Sequence, residues 1–257
     1  MSDMTAAPEA ALRPPVALSV VIPVYRSGEI FPALHRRLTA ALVPLGNYEI
    51  IAVVDGGGDE TAEIIARHCA ADPRLKMAEM SRNFGEEAAV SAGLALAKGE
   101  LVLVMDDDLE DPPEEIPRFV AKAEEGYDVV YGIIARREVS AFRGTAFRLF
   151  YRTLNFLTDI KMPNDAGSFC LMRRPVVDAL NAMPENNRYI RGMRVWIGYR
   201  QTGLPYERHE RAGGVSGYTF TKYLRFGVNA ILSFSHKPLD YVVGLGMLVS
   251  LFAFAEG

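Results

Sequence analysis

From Leu18 onward the chain alternates short runs of apolar, β-branched residues with longer stretches in which apolar positions recur every three to four residues. "LSVVIPVY", "YEIIAVVD" and "ELVLVMD" are apolar almost throughout, the pattern of strands buried on both faces; "LKMAEMS" and "YDVVYGII" add two more strands. Between them, "GEIFPALHRRLTAALVPL", "ETAEIIARHCAA", "EEAAVSAGLALAKG" and "PEEIPRFVAKAEEG" carry helical spacing, and Gly99 is the expected stop of the Ala-rich helix. Strands alternating with helices predict an open, mainly parallel α/β sheet with helices on both faces. In such sheets ligands bind beyond the carboxyl ends of the strands.

That rule gives the acidic residues an address. "VVD" ends at Asp55 and "VLVMD" at Asp106, so both termini are expected on one edge of the sheet. Asp106 opens a run that also holds Asp107, Asp108, Glu110 and Asp111. A helix needs one N-cap, and Asp111, just before Pro112 and Pro113, reads best as that cap or as a solvated loop acid. The remaining carboxylates repel one another unless a cation offsets them. Hard oxygen donors favour Mg²⁺ or Mn²⁺, ions that commonly complete their shell with substrate phosphates. A metal-diphosphate site is the resulting expectation.

Composition narrows the field. The chain has 257 residues, 49% of them hydrophobic, enough for one large domain with an appendage. Its net charge of -4 offers no electrostatic footprint for nucleic acid, which is excluded as a partner class. Cys69 and Cys170 lie far apart with no CxxC spacing, so neither a disulfide framework nor a zinc site is expected. Residues 1–17 lack an apolar core and read as a loose tail, not a signal peptide. No GxGxxG follows the first strand, which sets aside a nicotinamide-binding enzyme.

In order, "SVVIPVY", "VVDGGGDET", "SRNFGEEAAVSAGLALAKG", "MDDDLEDPPEEIP", "NDAGSFCLMRR" and "RYIRGMRVWIGYRQTGLPYERHERAGG" resemble family 2 glycosyltransferases of the polyprenyl-phosphate sugar transferase branch. The pattern is similar to bacterial undecaprenyl-phosphate sugar transferases and, more distantly, to dolichol-phosphate mannose synthase. It covers residues 18 to 250. The resemblance implies a GT-A type, Rossmann-like sheet and an inverting, metal-dependent transfer of a sugar from a UDP-sugar to undecaprenyl phosphate at the cytoplasmic face of the bacterial inner membrane.

The resemblance also assigns residues. Pro23, Val24 and Tyr25 line the nucleotide pocket, although Arg26-Ser27 replaces the usual Asn-Glu. Asp55 matches the second acid of Asp-Asp-Gly-Ser if Asp59 and Thr61 set the register; Val54 then replaces the first acid and Gly57 the serine. Three consecutive glycines read otherwise as a flexible turn. Arg82 and Asn83 become polar contacts to the nucleotide, with Gly85 as the turn; a surface salt-bridge partner is the alternative for Arg82. Asp106 and Asp108 form the DxD element that binds metal and nucleotide, Asp107 adds an acid between them, and Glu110 stands where relatives often carry a metal-proximal Gln. Asp165 falls where the family places an acid beside the reacting sugar; a turn aspartate before Gly167 is the alternative. Arg136 and Arg143 are the expected grip on the acceptor phosphate, within a segment whose arginines otherwise read as a solvated helix face. Arg208, Arg211 and Ser216 match a loop that meets the diphosphate; its usual Lys is Gly217, which shifts that contact to Arg211 or Lys222. His209 and His236 stand alone and read as structural or exposed.

Beyond the loop, Lys222 and Arg225 flank apolar residues at helical spacing, as in a helix lying among lipid headgroups. "YVVGLGMLVSLFAFA" is apolar but short of the roughly twenty residues a spanning helix needs. The expected organisation is a tail (1–17), a GT-A domain (18–215), interfacial helices (216–240) and a truncated membrane segment (241–257). Basic residues before the apolar run place the catalytic domain in the cytoplasm. Relatives of this branch assemble through membrane helices, which brings a homo-oligomer into view. A GDP-mannose donor and a degenerate, non-catalytic binding module are the alternative readings.

Overall fold

The computed structural model describes residues 17–134, 166–186, 188–209 and 237–256. Seven strands, β1 (Leu18–Val24), β2 (Tyr48–Val54), β3 (Leu75–Glu79), β4 (Leu101–Val104), β5 (Val129–Ile134), β6 (Ala166–Arg173) and β7 (Gln201–Tyr206), form one sheet in the order β3-β2-β1-β4-β6-β5-β7. β1 pairs in parallel with β2 and β4, β2 with β3, and β5 with β7. β6 runs antiparallel to both β4 and β5. The sheet is therefore parallel with one reversed strand in its interior. That strand lies inside "NDAGSFCLMRR", a stretch read for its motif and not for its pattern.

Among the described residues seven helices accompany the strands: α1 (Phe31–Leu42), α2 (Thr61–Ala71), α3 (Glu86–Leu96), α4 (Ile116–Glu124), α5 (Arg174–Ala182), α6 (Ile190–Trp196) and α7 (Lys237–Glu256). Every residue of β1 and β2 is buried because helices cover both faces. Alternate side chains go to opposite layers. Val20, Ile22 and Val24 of β1 pack with α1, α2 and α4 through Leu34, Leu38, Ile65 and Phe119. Val21 of β1 and Val53 of β2 pack with α3, α5 and α6 through Val90, Leu94, Val177 and Met193.

The Ala-rich helix stops at Leu96, before Gly99. Gly99 has a different reason to be glycine: a Cβ there would sit 2.5 Å from the Ser19 nitrogen. α7 is apolar, and every described residue from Val243 to Ala255 is exposed. Among the described residues no helix is long and apolar enough to cross a membrane.

β1, β2, β4, β5 and β7 all point their carboxyl ends at the same edge, and reversed β6 begins there. The chain entering and leaving residues 135–165 does so at this edge, and so does the segment after Tyr206.

Candidate active site

Parallel pairing of β1 with β2 and β4 carries Asp55 and Asp106 to the common edge, as the pattern predicts. Met105 extends β4 by donating its amide to the Val21 carbonyl (3.1 Å), and the acidic turn follows. Its shape is set by Asp108, whose Oδ1 accepts the Glu110 amide at 3.0 Å, and by Leu109, left-handed at φ 61° with its side chain buried. A non-glycine residue in that conformation is strained, and burial of Leu109 offsets the strain.

Each acid in the turn has a distinct neighbour. Asp106 accepts the Ser168 hydroxyl (3.0 Å) from the start of β6. Asp107 accepts the Tyr25 amide (3.2 Å) at the end of β1. Asp111 is buried, accepts the Tyr206 hydroxyl at 2.5 Å and faces the Arg208 Nε at 3.1 Å. This corrects the reading of Asp111 as a cap or solvated acid: no side chain caps the turn at Pro113–Glu115 or the start of α4. Arg208 also reaches Glu110 Oε2 (3.0 Å) and Asp106 Oδ2 (3.6 Å). The His209 amide donates to the Glu110 carbonyl, while the His209 side chain is exposed.

Two further acids join from α3. Glu87 caps the first turn of α6 by accepting the Ile190 amide at 2.9 Å, and burial pushes its carboxyl above the ordinary range. Glu86 is pushed up to about 7, by desolvation first and then by Asp106 and Glu87. Burial and then Asp108 raise Asp106; burial, with smaller contributions from Asp106 and Asp108, raises Asp107 to about 6; burial and then Asp106 raise Asp111 to about 6. Arg191 of α6 feels Tyr189, Glu87, Glu86 and Asp106, which together outweigh burial and raise it. Two guanidiniums thus face a larger number of carboxylates.

Asp55 serves the neighbouring loop. It is buried, and its two oxygens accept the amides of Phe84 (2.7 Å) and Gly85 (2.8 Å). Gly56 (φ 46°) packs so closely on this loop that a Cβ would fall 2.5 Å from the Arg82 carbonyl carbon. The glycine run is a close-packing device at Gly56 and not merely a flexible turn. Arg82 and Asn83 are exposed, with the Arg82 guanidinium 4.0 Å from the centroid of the exposed Phe84 ring. Pro23 and Val24 are buried within β1, and exposed Tyr25 follows them. Asp165, Arg136, Arg143, Arg211 and Ser216 lie outside the described residues.

Sequence reasoning missed Glu86, Glu87, Ser168, Arg191 and Tyr206. Nothing in the local spacing around "EEAAV" or "RYIRGMR" marks them. Only long-range pairing brings them to Asp106.

Among the described residues no three acidic, histidine or cysteine side chains converge as a resident metal ion requires. The donor chemistry nevertheless fits a hard divalent cation. The oxygens are carboxylates in surplus over nearby positive charge, and a guanidinium already sits against three of them.

A profile described as "Glycosyl transferase family 2" matches residues 19–180. An uncharacterized glycosyltransferase of Bacillus subtilis, YkcC, is 38% identical over 91% of this chain and 73% of its own length. The undecaprenyl-phosphate 4-deoxy-4-formamido-L-arabinose transferase of Klebsiella pneumoniae is 34% identical over 95% of this chain and 76% of its own. Among solved structures, mannosyl-3-phosphoglycerate synthase from Rubrobacter xylanophilus superposes with a TM-score of 0.62 (19% identity, 84% of this chain, 73% of that one). The Pyrobaculum calidifontis mannosyltransferase PcManGT, in complex with GDP-Man and Mn²⁺, superposes at 0.57 (19% identity, 80% and 61%). These likenesses agree with the Rossmann-like, GT-A arrangement of the sheet. With the profile spanning β1 through most of α5 and relatives aligned along nearly the whole chain, the protein belongs to glycosyl transferase family 2 and is a glycosyltransferase.

Proposed function

We propose that the protein moves a sugar from a UDP-sugar to undecaprenyl phosphate at the cytoplasmic face of the bacterial inner membrane, with inversion at the sugar carbon and with Mg²⁺ or Mn²⁺ bound. The observation carrying this reading is the acidic edge itself: Asp106, Asp108 and Glu110 on one turn, beside Arg208. The named activity of the Klebsiella relative supports the lipid acceptor.

Asp106, Asp108 and Glu110 would hold the cation, which neutralises charge developing on the departing diphosphate. The other tasks belong to the chain. Tyr25 lies beside the acidic turn, its amide tied to Asp107, and offers an exposed ring to the nucleotide. The loop clamped by Asp55 presents Arg82 and Asn83 alongside it. Asp165 positions the reacting sugar against the acceptor, and Arg136 and Arg143 grip the acceptor phosphate. A phosphate monoester is already anionic near neutral pH, so positioning counts for more than base strength. Arg211 and Ser216 complete the diphosphate contacts. The exposed apolar α7 provides lipid contact.

Calorimetric titration with UDP and GDP, each with and without Mn²⁺, tests the donor. UDP binding that requires Mn²⁺ is the expected outcome, followed by transfer to undecaprenyl phosphate. GDP preference would shift the donor to GDP-mannose. Absence of nucleotide binding by folded protein would favour a non-catalytic module.

A further inference from the structure

We infer that Arg208 is the resident counter-ion of the acidic edge and the group a divalent cation must displace; this rests on the metal-dependent reading above. The three guanidinium nitrogens each face a different carboxylate. Nε meets Asp111 at 3.1 Å, Nη1 meets Glu110 at 3.0 Å and Nη2 approaches Asp106 at 3.6 Å. Asp106 and Glu110 belong to the set assigned to the cation, whereas Asp111 is committed to Tyr206.

The contact divides accordingly. Asp111 is buried and hydrogen-bonded to the last residue of β7, so it tethers Nε. Asp106 and Glu110 are only half-buried and are the exchangeable partners. The main chain is held on either side of Arg208, at Tyr206 by β7 and at His209 by its bond to the Glu110 carbonyl. Release therefore takes a side-chain swing about the Asp111 tether, with no backbone shift. A guanidinium and a divalent ion held on the same carboxylates repel each other in a half-buried site, so arrival of the ion favours withdrawal of Nη1 and Nη2. Cation affinity is thus set by the carboxylates less the cost of moving Arg208.

The test is Mn²⁺ binding to the full chain without nucleotide, followed by the electron paramagnetic resonance of free Mn²⁺. Arg208→Gln is expected to bind Mn²⁺ about tenfold more tightly, the effect of removing one charge-assisted contact from competition. Equal or weaker binding by Arg208→Gln, while the unaltered protein binds Mn²⁺, would overturn the role of Arg208 and leave the metal reading standing. No Mn²⁺ binding by either protein would overturn both. A second measurement needs no neutral variant: Mg²⁺ should shift the Arg208 Nε–H resonance of the unaltered protein, identified by its loss in Arg208→Lys. A resonance unmoved through saturation overturns the inference.

Discussion

The sheet buries carboxylates at both of its ends, and the two ends treat them differently. At the amino-terminal end, Glu49 of β2 accepts the Ser19 hydroxyl (2.6 Å) and the Lys98 amide (2.7 Å) and pairs with Lys76. Burial alone would raise this carboxyl, but Lys76, Ser19 and the Lys98 amide overcome it and hold the group below its ordinary value. At the carboxyl-terminal end, Asp106, Asp107 and Asp111 have partners too, yet burial and mutual repulsion win and all three are raised. Hydrogen bonding does not separate the two ends; charge balance does. One acid with its own lysine is a fastening, whereas a surplus of acids is a demand for a cation.

The largest break in the comparison is expected from Asp108→Asn. An asparagine oxygen can still accept the Glu110 amide, so the turn and the melting temperature should survive. Sugar transfer should fall by about a thousandfold or more, the scale of losing one preorganised electrostatic contact together with its ion. Near-normal transfer by the variant would sink the metal assignment.

Glu49→Ala should do the reverse. Losing a buried acceptor that three groups share is expected to cost about 2–3 kcal/mol in urea unfolding, with the rate per folded molecule unchanged. A catalytic defect without a stability defect would mean that the amino-terminal end is not merely structural.

Gly56→Ala sharpens the boundary between fastening and function. The added methyl would collide with the Arg82 backbone at a left-handed position. A stability loss of about 1–2 kcal/mol is expected, with nucleotide affinity weakened about tenfold as the Arg82–Phe84 loop is pushed away. Unchanged affinity would remove that loop from the nucleotide site.

The smallest effect is in pH. Asp107 and Asp111, near 6 in the fold against 3.8 unfolded, bind protons that the unfolded chain releases, so their contribution to stability falls as pH rises through that window. Glu49 has the opposite sign: its stabilisation is present above 4.5 and is lost as pH falls below that value. Between pH 7 and 5 Glu49 is silent and two sets of groups oppose each other. The raised acids stabilise the fold on acidification, whereas His35, which burial holds below its ordinary value, destabilises it. With the acids more numerous, the melting temperature of metal-free protein should rise on acidification. Saturating Mn²⁺ should flatten that rise.

The buried runs of β1, β2 and β4 and the helices between them were legible because period and length agree with burial on both faces. β6 was not, since "FCLM" between polar flanks is too short to declare a direction, and only pairing with β4 and β5 reverses it. The acidic turn could be located from strand ends alone. Asp111 was misread because an acid before Pro-Pro has the local form of a cap, while its real partners, Tyr206 and Arg208, lie 95 and 97 residues away. Charge surplus was visible in the chain; which cation answers it was not.

Reversed β6 has a further consequence. Because β5 ends and β6 begins at the acidic edge, the chain leaves the sheet at Ile134 and returns to it at Ala166 on the side of the carboxylates. A connection between Ile134 and Ala166 need not keep one length, because the cost of closing it grows only slowly with the number of residues. The sheet can therefore tolerate insertions and deletions at this point of its acidic edge while its own strand pairing stays as it is.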